Sequence, residues 1–152
     1  MEAPYISVIG GDSANTHECE VATEVGRLLA ERGYRLVCGG RGGVMEAAAA
    51  GHRQAGGSPI GLLPSRDRSE ANEYISIAIV TGLGNMRNAL VVENGDAIIA
   101  IGGSYGTLSE IALALDAGRT VFGLETHEIE GIQAVSSPRE AVDSVEDVIG
   151  SG

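Results

Sequence analysis

Three of the five residues 102–106 are glycines, and a carboxylate, Glu110, follows them within one helical turn. The cluster comes after a predicted buried strand, residues 96–101, and leads into an apolar helical segment, residues 111–115. A strand that passes through glycines into a helix directs free backbone N–H groups and the positive end of the helix dipole towards one point. A ligand can approach this backbone closely because glycine has no Cβ. The segment therefore predicts a site for phosphate or another anion.

The same segment also allows a purely structural interpretation. Thr107 and Glu110 have the spacing of a capping box, in which Thr107 caps the helix and Glu110 bonds back to the cap. Spacing alone leaves both interpretations of Glu110 open. The glycines favour the site, because a plain strand–helix connection does not need three of them in five residues.

Two more glycine clusters follow predicted strands, at residues 39–43 and at Gly10 and Gly11. Arg41 lies inside the first of them, where a bidentate phosphate contact is feasible. Residues 44–50 contain four alanines and predict a helix that packs close to a sheet. The carboxyl ends of parallel strands meet at one edge of a sheet, so the three clusters predict one ligand-binding edge.

Several kinds of site are excluded or disfavoured by the composition. The chain contains no lysine, which excludes a Walker loop and a pyridoxal-phosphate Schiff base. No Gly-x-Gly-x-x-Gly follows the first strand, so a classical dinucleotide site is not expected. The three histidines show no metal-ligand spacing, and we expect no metal and no required cofactor. Cys19 and Cys38 are expected to be reduced thiols, with Cys38 as a small core residue.

Length and charge narrow the class of protein. The 152 residues, 43% hydrophobic and only 3% aromatic, predict a single domain, residues 1–152, around a buried parallel sheet. No apolar segment is long enough to cross a membrane and no signal peptide is evident, so we expect a cytoplasmic protein without a membrane partner. The net charge of −11 disfavours nucleic acid as a partner. An acid-rich, lysine-free composition also fits the cytoplasm of a halophile.

Strand and helix patterns alternate along the chain without a linker. The predicted fold is α/β: a doubly wound, mainly parallel sheet flanked by helices, of the Rossmann-like kind. The expected strands are residues 5–9, 36–38, 59–63, 74–80, 96–101, 120–124 and 132–135, and the expected helices cover residues 18–32, 44–50, 86–93, 111–115 and 137–149.

Residues 106–110 resemble the end of the Pro-Gly-Gly-x-Gly-Thr-x-x-Glu motif of the LONELY GUY (LOG) proteins. Those proteins cleave nucleoside monophosphates into a free base and ribose 5-phosphate. The resemblance gives Arg87 and Glu110 the positions of the catalytic arginine and glutamate. Independently of the family, a carboxylate can stabilise an oxocarbenium-like transition state, and an arginine can hold the phosphate or polarise the departing base.

The chain departs from the LOG motif at three places. The proline is absent, Ser104 stands at the second glycine, and Asn88 replaces a lysine. The segments Gly-Gly-Arg-Gly-Gly-Val-Met-Glu and Met-Arg-Asn are more similar to a short LOG-like branch, once labelled DprA/Smf-related. That branch includes molybdenum-cofactor carrier proteins, which bind a phosphorylated pterin without known catalysis. The resemblance implies a phosphorylated nucleotide or pterin as ligand and leaves hydrolase and carrier as alternatives.

The expected ligand contacts come from the three glycine clusters and the start of the 86–93 helix. They are Gly10, Gly11, Gly39, Gly40, Arg41, Gly42, Gly43, Met86, Asn88, Gly102, Gly103, Ser104, Tyr105, Gly106 and Thr107. Asp12 and Asn15 are either contacts to a base or ribose or solvated turn residues. LOG-like proteins associate through helices near the site, so the resemblance implies a homodimer or a dimer of dimers involving residues 86–93.

Overall fold

The computed structural model describes residues 2–150, which form seven strands and five α-helices. The strands are β1 (Tyr5–Gly10), β2 (Arg35–Cys38), β3 (Ile60–Leu63), β4 (Ile77–Val80), β5 (Ala97–Ile101), β6 (Val121–Leu124) and β7 (Gln133–Ala134). The helices are α1 (Thr16–Glu31), α2 (Val44–Gln54), α3 (Arg87–Glu93), α4 (Tyr105–Asp116) and α5 (Pro138–Ile149), with 3₁₀ turns at Arg68–Glu70 and Gly84–Met86.

The strands form one sheet in the order β4-β3-β2-β1-β5-β6-β7, and every neighbouring pair is parallel. Alternate side chains point to opposite faces of the sheet. Ile6 and Val8 of β1 share a core with α1, α2 and α5, whereas Ile9 shares the other core with α3 and α4. The expected doubly wound α/β fold is confirmed.

The central strand, β1, lies between β2 and β5. From β1 the chain builds β2, β3 and β4 on one side, then crosses to β5 and continues to β7 on the other. Where the chain changes from one side of β1 to the other, the connections diverge and leave a crevice at the carboxyl ends of the strands. The three glycine clusters follow β1, β2 and β5, which are adjacent in the sheet, so the clusters lie at one edge of the sheet, as the sequence predicts.

Several predicted boundaries were wrong: α2, for example, continues to Gln54, four residues beyond the expected end. α1 begins at Thr16, two residues early, because Asn15 and Glu18 form a capping box: the Glu18 N–H donates to Asn15 Oδ1 at 2.8 Å. β4 begins only at Ile77, because the Asn72 side chain accepts the Tyr74 N–H at 3.0 Å and holds the preceding residues in a turn. The strand expected over residues 132–135 is reduced to Gln133–Ala134.

Helices α1 and α2 pack with their backbones in close contact. A Cβ at Gly26 would lie 2.9 Å from the carbonyl carbon of Ala48, and a Cβ at Gly51 would lie 2.9 Å from that of Thr23. Real Cβ atoms do not approach backbone so closely, so the crossing requires glycine on both helices. The packing fixes α2, and with it the glycine cluster at its start, against α1.

The β4 edge of the sheet carries an exposed apolar patch. It consists of Ile77, Ile79, Leu83, Met86 and Leu90, whose exposed fractions run from 38% to 73%. Ile77 and Ile79 pair in register with the buried Ile60 and Leu62 of β3, so they extend the α3 face of the sheet beyond the helices. Within residues 2–150, no helix is long and apolar enough to span a membrane.

Candidate functional site

A cavity of about 220 Å³ opens at the carboxyl edge of the sheet. It is lined by Gly10, Gly11, Asp12, Arg41, Met45, Pro64, Asn85, Arg87, Asn88, Ser104, Gly106, Thr107 and Glu110. The lining includes at least one residue from each of the three glycine clusters and both residues expected to be catalytic. Three other grooves are larger, two of about 570 Å³ and one of about 330 Å³, and none of them has a buried pair of opposite charges in its lining. One of the two largest shares Asp12 with this cavity.

The other expected ligand residues lie outside this lining: Gly39, Gly40, Gly42, Gly43, Met86, Gly102, Gly103 and Tyr105. Some of these glycines shape the site instead. A Cβ at Gly39 would lie 2.8 Å from Arg87 Nη2, so the glycine makes room for the guanidinium. Met86 and Tyr105 point largely to solvent, with 73% and 88% of their surfaces exposed.

Met45, Pro64 and Asn85 also line the cavity, although the sequence did not indicate them. Pro64 directly follows β3, so its place at the end of a parallel strand was an available signal. Asn85 lies in the 3₁₀ turn before α3, and no local pattern marks it.

The first turn of α4 faces the cavity. The helix begins at Tyr105 with Ser104 as N-cap, and the Ser104 side chain makes no capping hydrogen bond. Thr107 and Glu110 therefore sit inside the helix, and the capping-box interpretation of this pair is wrong. Thr107 is only 2% exposed, and its Oγ1 is buried without a hydrogen-bond partner among residues 2–150. An unsatisfied buried hydroxyl is costly unless something else bonds to it.

Arg87, the first residue of α3, reaches back across the sheet edge. Its Nη1 donates to the Asn88 side-chain oxygen and its Nη2 to the Gly39 carbonyl at 3.4 Å. Its Nε is buried with no hydrogen-bond partner within the described residues. Burial lowers the pKa of Arg87, but an arginine keeps its charge across the physiological range. The site thus holds a fixed cation with an unused donor.

Glu110 lies on the same cavity wall, and 6% of its surface is exposed. Burial raises the pKa of its carboxyl from 4.5 to about 8, and the nearby Arg87 charge opposes the increase only in part. At neutral pH most of the Glu110 carboxyl is therefore protonated. In that state it is a hydrogen-bond donor, and after losing the proton it is an anion beside a cation.

Asp12 connects two of the glycine clusters. Its Oδ1 accepts the Gly42 N–H at 2.8 Å, which ties the loop after β1 to the loop before α2. Asn15 is used as the α1 cap and does not line the cavity. Of the two residues left open by the sequence, only Asp12 therefore reaches the site.

The remaining candidate groups have structural partners. Burial raises the pKa of the Cys38 thiol to about 12, which makes it an inert core residue. His17 contacts Glu125, His52 contacts the Tyr34 carbonyl, and His127 contacts the Ser104 carbonyl. In the described part of the chain, no three His, Cys, Asp or Glu side chains form a group suited to a metal ion.

Comparisons with known proteins agree on one family. The sequence model of the SLOG cluster4 family, LDcluster4, matches residues 3–149. An uncharacterized protein of Archaeoglobus fulgidus is 42% identical over 143 residues, which cover 93% of this chain and 94% of that protein. The cytokinin riboside 5′-monophosphate phosphoribohydrolase LOG5 of Arabidopsis thaliana is 31% identical over 111 residues, which cover 70% of this chain but only 49% of that enzyme.

Among solved structures, the chain is similar to the molybdenum cofactor binding protein of the phototrophic bacterium Rippkaea orientalis. The two superimpose with a TM-score of 0.93 at 37% sequence identity. The match covers 98% of this chain and 99% of that one, so the likeness extends over the whole fold.

Proposed function

The chain belongs to the SLOG cluster4 family, and from the chemistry of its cavity we propose that it binds a small phosphorylated heterocycle of nucleotide or pterin type. The observation that carries the proposal is Thr107. Its side chain lines the cavity, and its hydroxyl is buried with no hydrogen-bond partner among residues 2–150. A ligand oxygen would satisfy it.

Phosphate is the ligand group that suits this end of the cavity. The first N–H groups of α4 have no partners within a helix, and the helix dipole adds a partial positive charge there. Arg41 and Arg87 line the same cavity and supply two fixed cations. A phosphate dianion would therefore meet backbone donors, a hydroxyl and guanidinium groups together.

Hydrolysis of an N-glycosidic bond is one function that this site would support. Glu110 is protonated at neutral pH and donates the proton that the departing base requires. The resulting carboxylate stabilises positive charge on the ribose and takes up the proton that water loses as it attacks C1′, which restores the protonated Glu110. Arg87 holds the anionic ligand. Similarity to the Arabidopsis phosphoribohydrolase supports this candidate.

A carrier without catalysis is the second candidate, and a specific observation favours it. The likeness to the molybdenum cofactor binding protein covers 99% of that chain, whereas the match to the Arabidopsis enzyme covers 49%. Asn88 also stands where the LOG motif has a lysine, and its side-chain oxygen is used by Arg87. Binding is common to both candidates, so it is the function we propose first.

The exposed patch beside the cavity supports self-association. Leu83, Met86 and Leu90 leave apolar surface uncovered next to Asn85, which lines the site. We propose that a second copy of the chain covers this surface in a homodimer. Patches of this kind on soluble proteins commonly mark interfaces, and twofold pairing is the commonest form.

A panel of ligands tests the proposed function. Purified protein is titrated with nucleoside monophosphates and a phosphorylated pterin, and base release is followed by chromatography. Thr107→Val removes the buried hydroxyl at constant size and should weaken binding about tenfold. Thr23→Val removes a threonine hydroxyl in α1, outside the cavity lining, and should not change binding.

The two candidates give different results in the same assay. A hydrolase releases base, and Glu110→Gln slows release by about 100-fold while affinity stays nearly the same. A carrier binds and releases none over hours. Wild-type protein that binds no phosphorylated heterocycle, or a Thr107→Val variant that binds as well as wild type, would contradict the proposed site.

A further inference from the structure

Side chains of the segment after β6 form hydrogen bonds with backbone carbonyls of the glycine loop after β5. Thr126 Oγ1 donates to the Gly102 carbonyl at 2.6 Å, and His127 Nε2 lies 3.0 Å from the Ser104 carbonyl. A carbonyl oxygen only accepts, so Nε2 carries the proton in this contact. Two consecutive side chains thus bind two carbonyls of the loop that enters α4.

The bond from Thr126 determines the orientation of one peptide group. Gly102 and Gly103 have φ values of 54° and 108°, and glycine has many alternative conformations in this region. The peptide between them is planar and trans, so its N–H points opposite to its carbonyl. Because Thr126 fixes the Gly102 carbonyl, the Gly103 N–H must point away from Thr126.

Thr126 is itself held in place. Glu125 is the one non-glycine residue with positive φ, 52°, in the described part of the chain, and its carboxylate lies 3.1 Å from His17 Nε2. A Cβ at Gly123 would lie 2.7 Å from Thr126 Cγ2, so the threonine packs into space that only glycine leaves. Such strained conformations persist where the surroundings enforce them.

We propose that Thr126 is a positioning residue, with His127 in support, which keeps the Gly102 carbonyl away from an anion bound at the start of α4. The role rests on the proposed function, since it concerns affinity for the phosphate group. Without the bond from Thr126, the Gly102–Gly103 peptide would lose the contact that fixes its orientation, and rotation would turn its carbonyl dipole away from Thr126. The orientation of the Ser104 carbonyl depends less on His127, because this carbonyl also accepts the Leu108 N–H at 3.0 Å.

The test compares variants of the full chain with inorganic phosphate and AMP as probes. Thr126→Val keeps the size of the side chain and removes the donor, and it should raise the dissociation constant about tenfold. Thr126→Ser restores the hydroxyl and should recover most of the affinity. Thr23→Val, which loses a 2.8 Å hydroxyl–carbonyl bond in α1, is the matched control. His127→Ala should have a smaller effect than Thr126→Val.

A second measurement, on ligand-free protein, separates positioning from general damage. The ¹⁵N relaxation of Gly103 should report greater mobility in Thr126→Val than in wild type or Thr23→Val. Thr126→Ala serves in the same assays if Thr126→Val does not fold.

The possible results separate the two proposals. If wild type binds neither probe nor any phosphorylated heterocycle, the proposed function fails and the role of Thr126 fails with it. If wild type binds and Thr126→Val binds equally well, the positioning role alone is overturned. Weaker binding without greater mobility at Gly103 also overturns it, because the hydroxyl would then act by another route.

Discussion

Glu110 should make the stability of this protein fall as pH rises through neutrality. Its pKa is about 8 in the folded protein and close to 4.5 in an unfolded chain. Between these values the folded state holds a proton that the unfolded state has lost, so the free energy of unfolding decreases with increasing pH. The stabilisation from protonated Glu110 is fully present below pH 4.5 and is lost progressively between pH 4.5 and 8. Above pH 8 this group no longer changes the free energy of unfolding.

The size of the effect follows from the same two values. Each tenfold change in proton affinity is worth about 1.4 kcal/mol, so the full contribution reaches up to about 5 kcal/mol. Glu110→Gln keeps the shape of the side chain and removes the titration. Relative to this variant, the wild type should lose up to about that free energy of unfolding between pH 4.5 and 9.

Urea unfolding followed by circular dichroism measures both proteins across this range. All other titratable groups are common to both proteins, so their contributions cancel in the difference. Glu128→Gln, an exposed loop position, is the control for loss of a carboxylate in general and should run parallel to wild type. Wild type and Glu110→Gln with parallel curves would refute the reasoning, because the buried carboxyl would then not hold its proton.

Three further predictions concern other parts of the molecule. Asn15→Ala removes the α1 cap and should lower the free energy of unfolding by about 1 kcal/mol, measured by urea titration; no change would show that the cap is dispensable. Gly26→Ala forces a methyl group into the Ala48 carbonyl and should cost about 1–3 kcal/mol in the same assay, which a wild-type midpoint would contradict. Leu90→Glu should convert a dimer into monomers in sedimentation experiments, and an unchanged mass would exclude the proposed interface.

The glycine clusters were predictable because their signals are local. An apolar run followed by glycines marks the end of a buried strand, and parallel strands end at one edge. The start of α4 was not predictable in the same way. Thr107 and Glu110 match a capping box, but Gly103 at φ 108° lets the helix begin at Tyr105, which places both side chains in the cavity wall.

The partnership of Arg87 with Glu110 came from family resemblance, since no local pattern joins residues on two different helices. The resemblance did not reveal that Glu110 is buried, and this burial raises the pKa of its carboxyl. Asn85 was missed for a related reason, because it lies in an irregular turn whose path depends on tertiary packing and not on a repeating pattern. Pro64 was missed although the end of β3 marks it.

The contact between Gly26 and α2 means that the two sides of the cavity should tolerate sequence changes to different degrees. On the α1–α2 side the backbones already touch, so the packing of both helices opposes a shift of the α2 backbone. On the other side of the cavity, Pro64 and Asn85 belong to irregular connections, and such segments tolerate new side chains better than packed helices do. New ligand preferences, whether by divergence among relatives or by directed evolution, should therefore arise first at Pro64 and Asn85, while the glycine crossing stays unchanged.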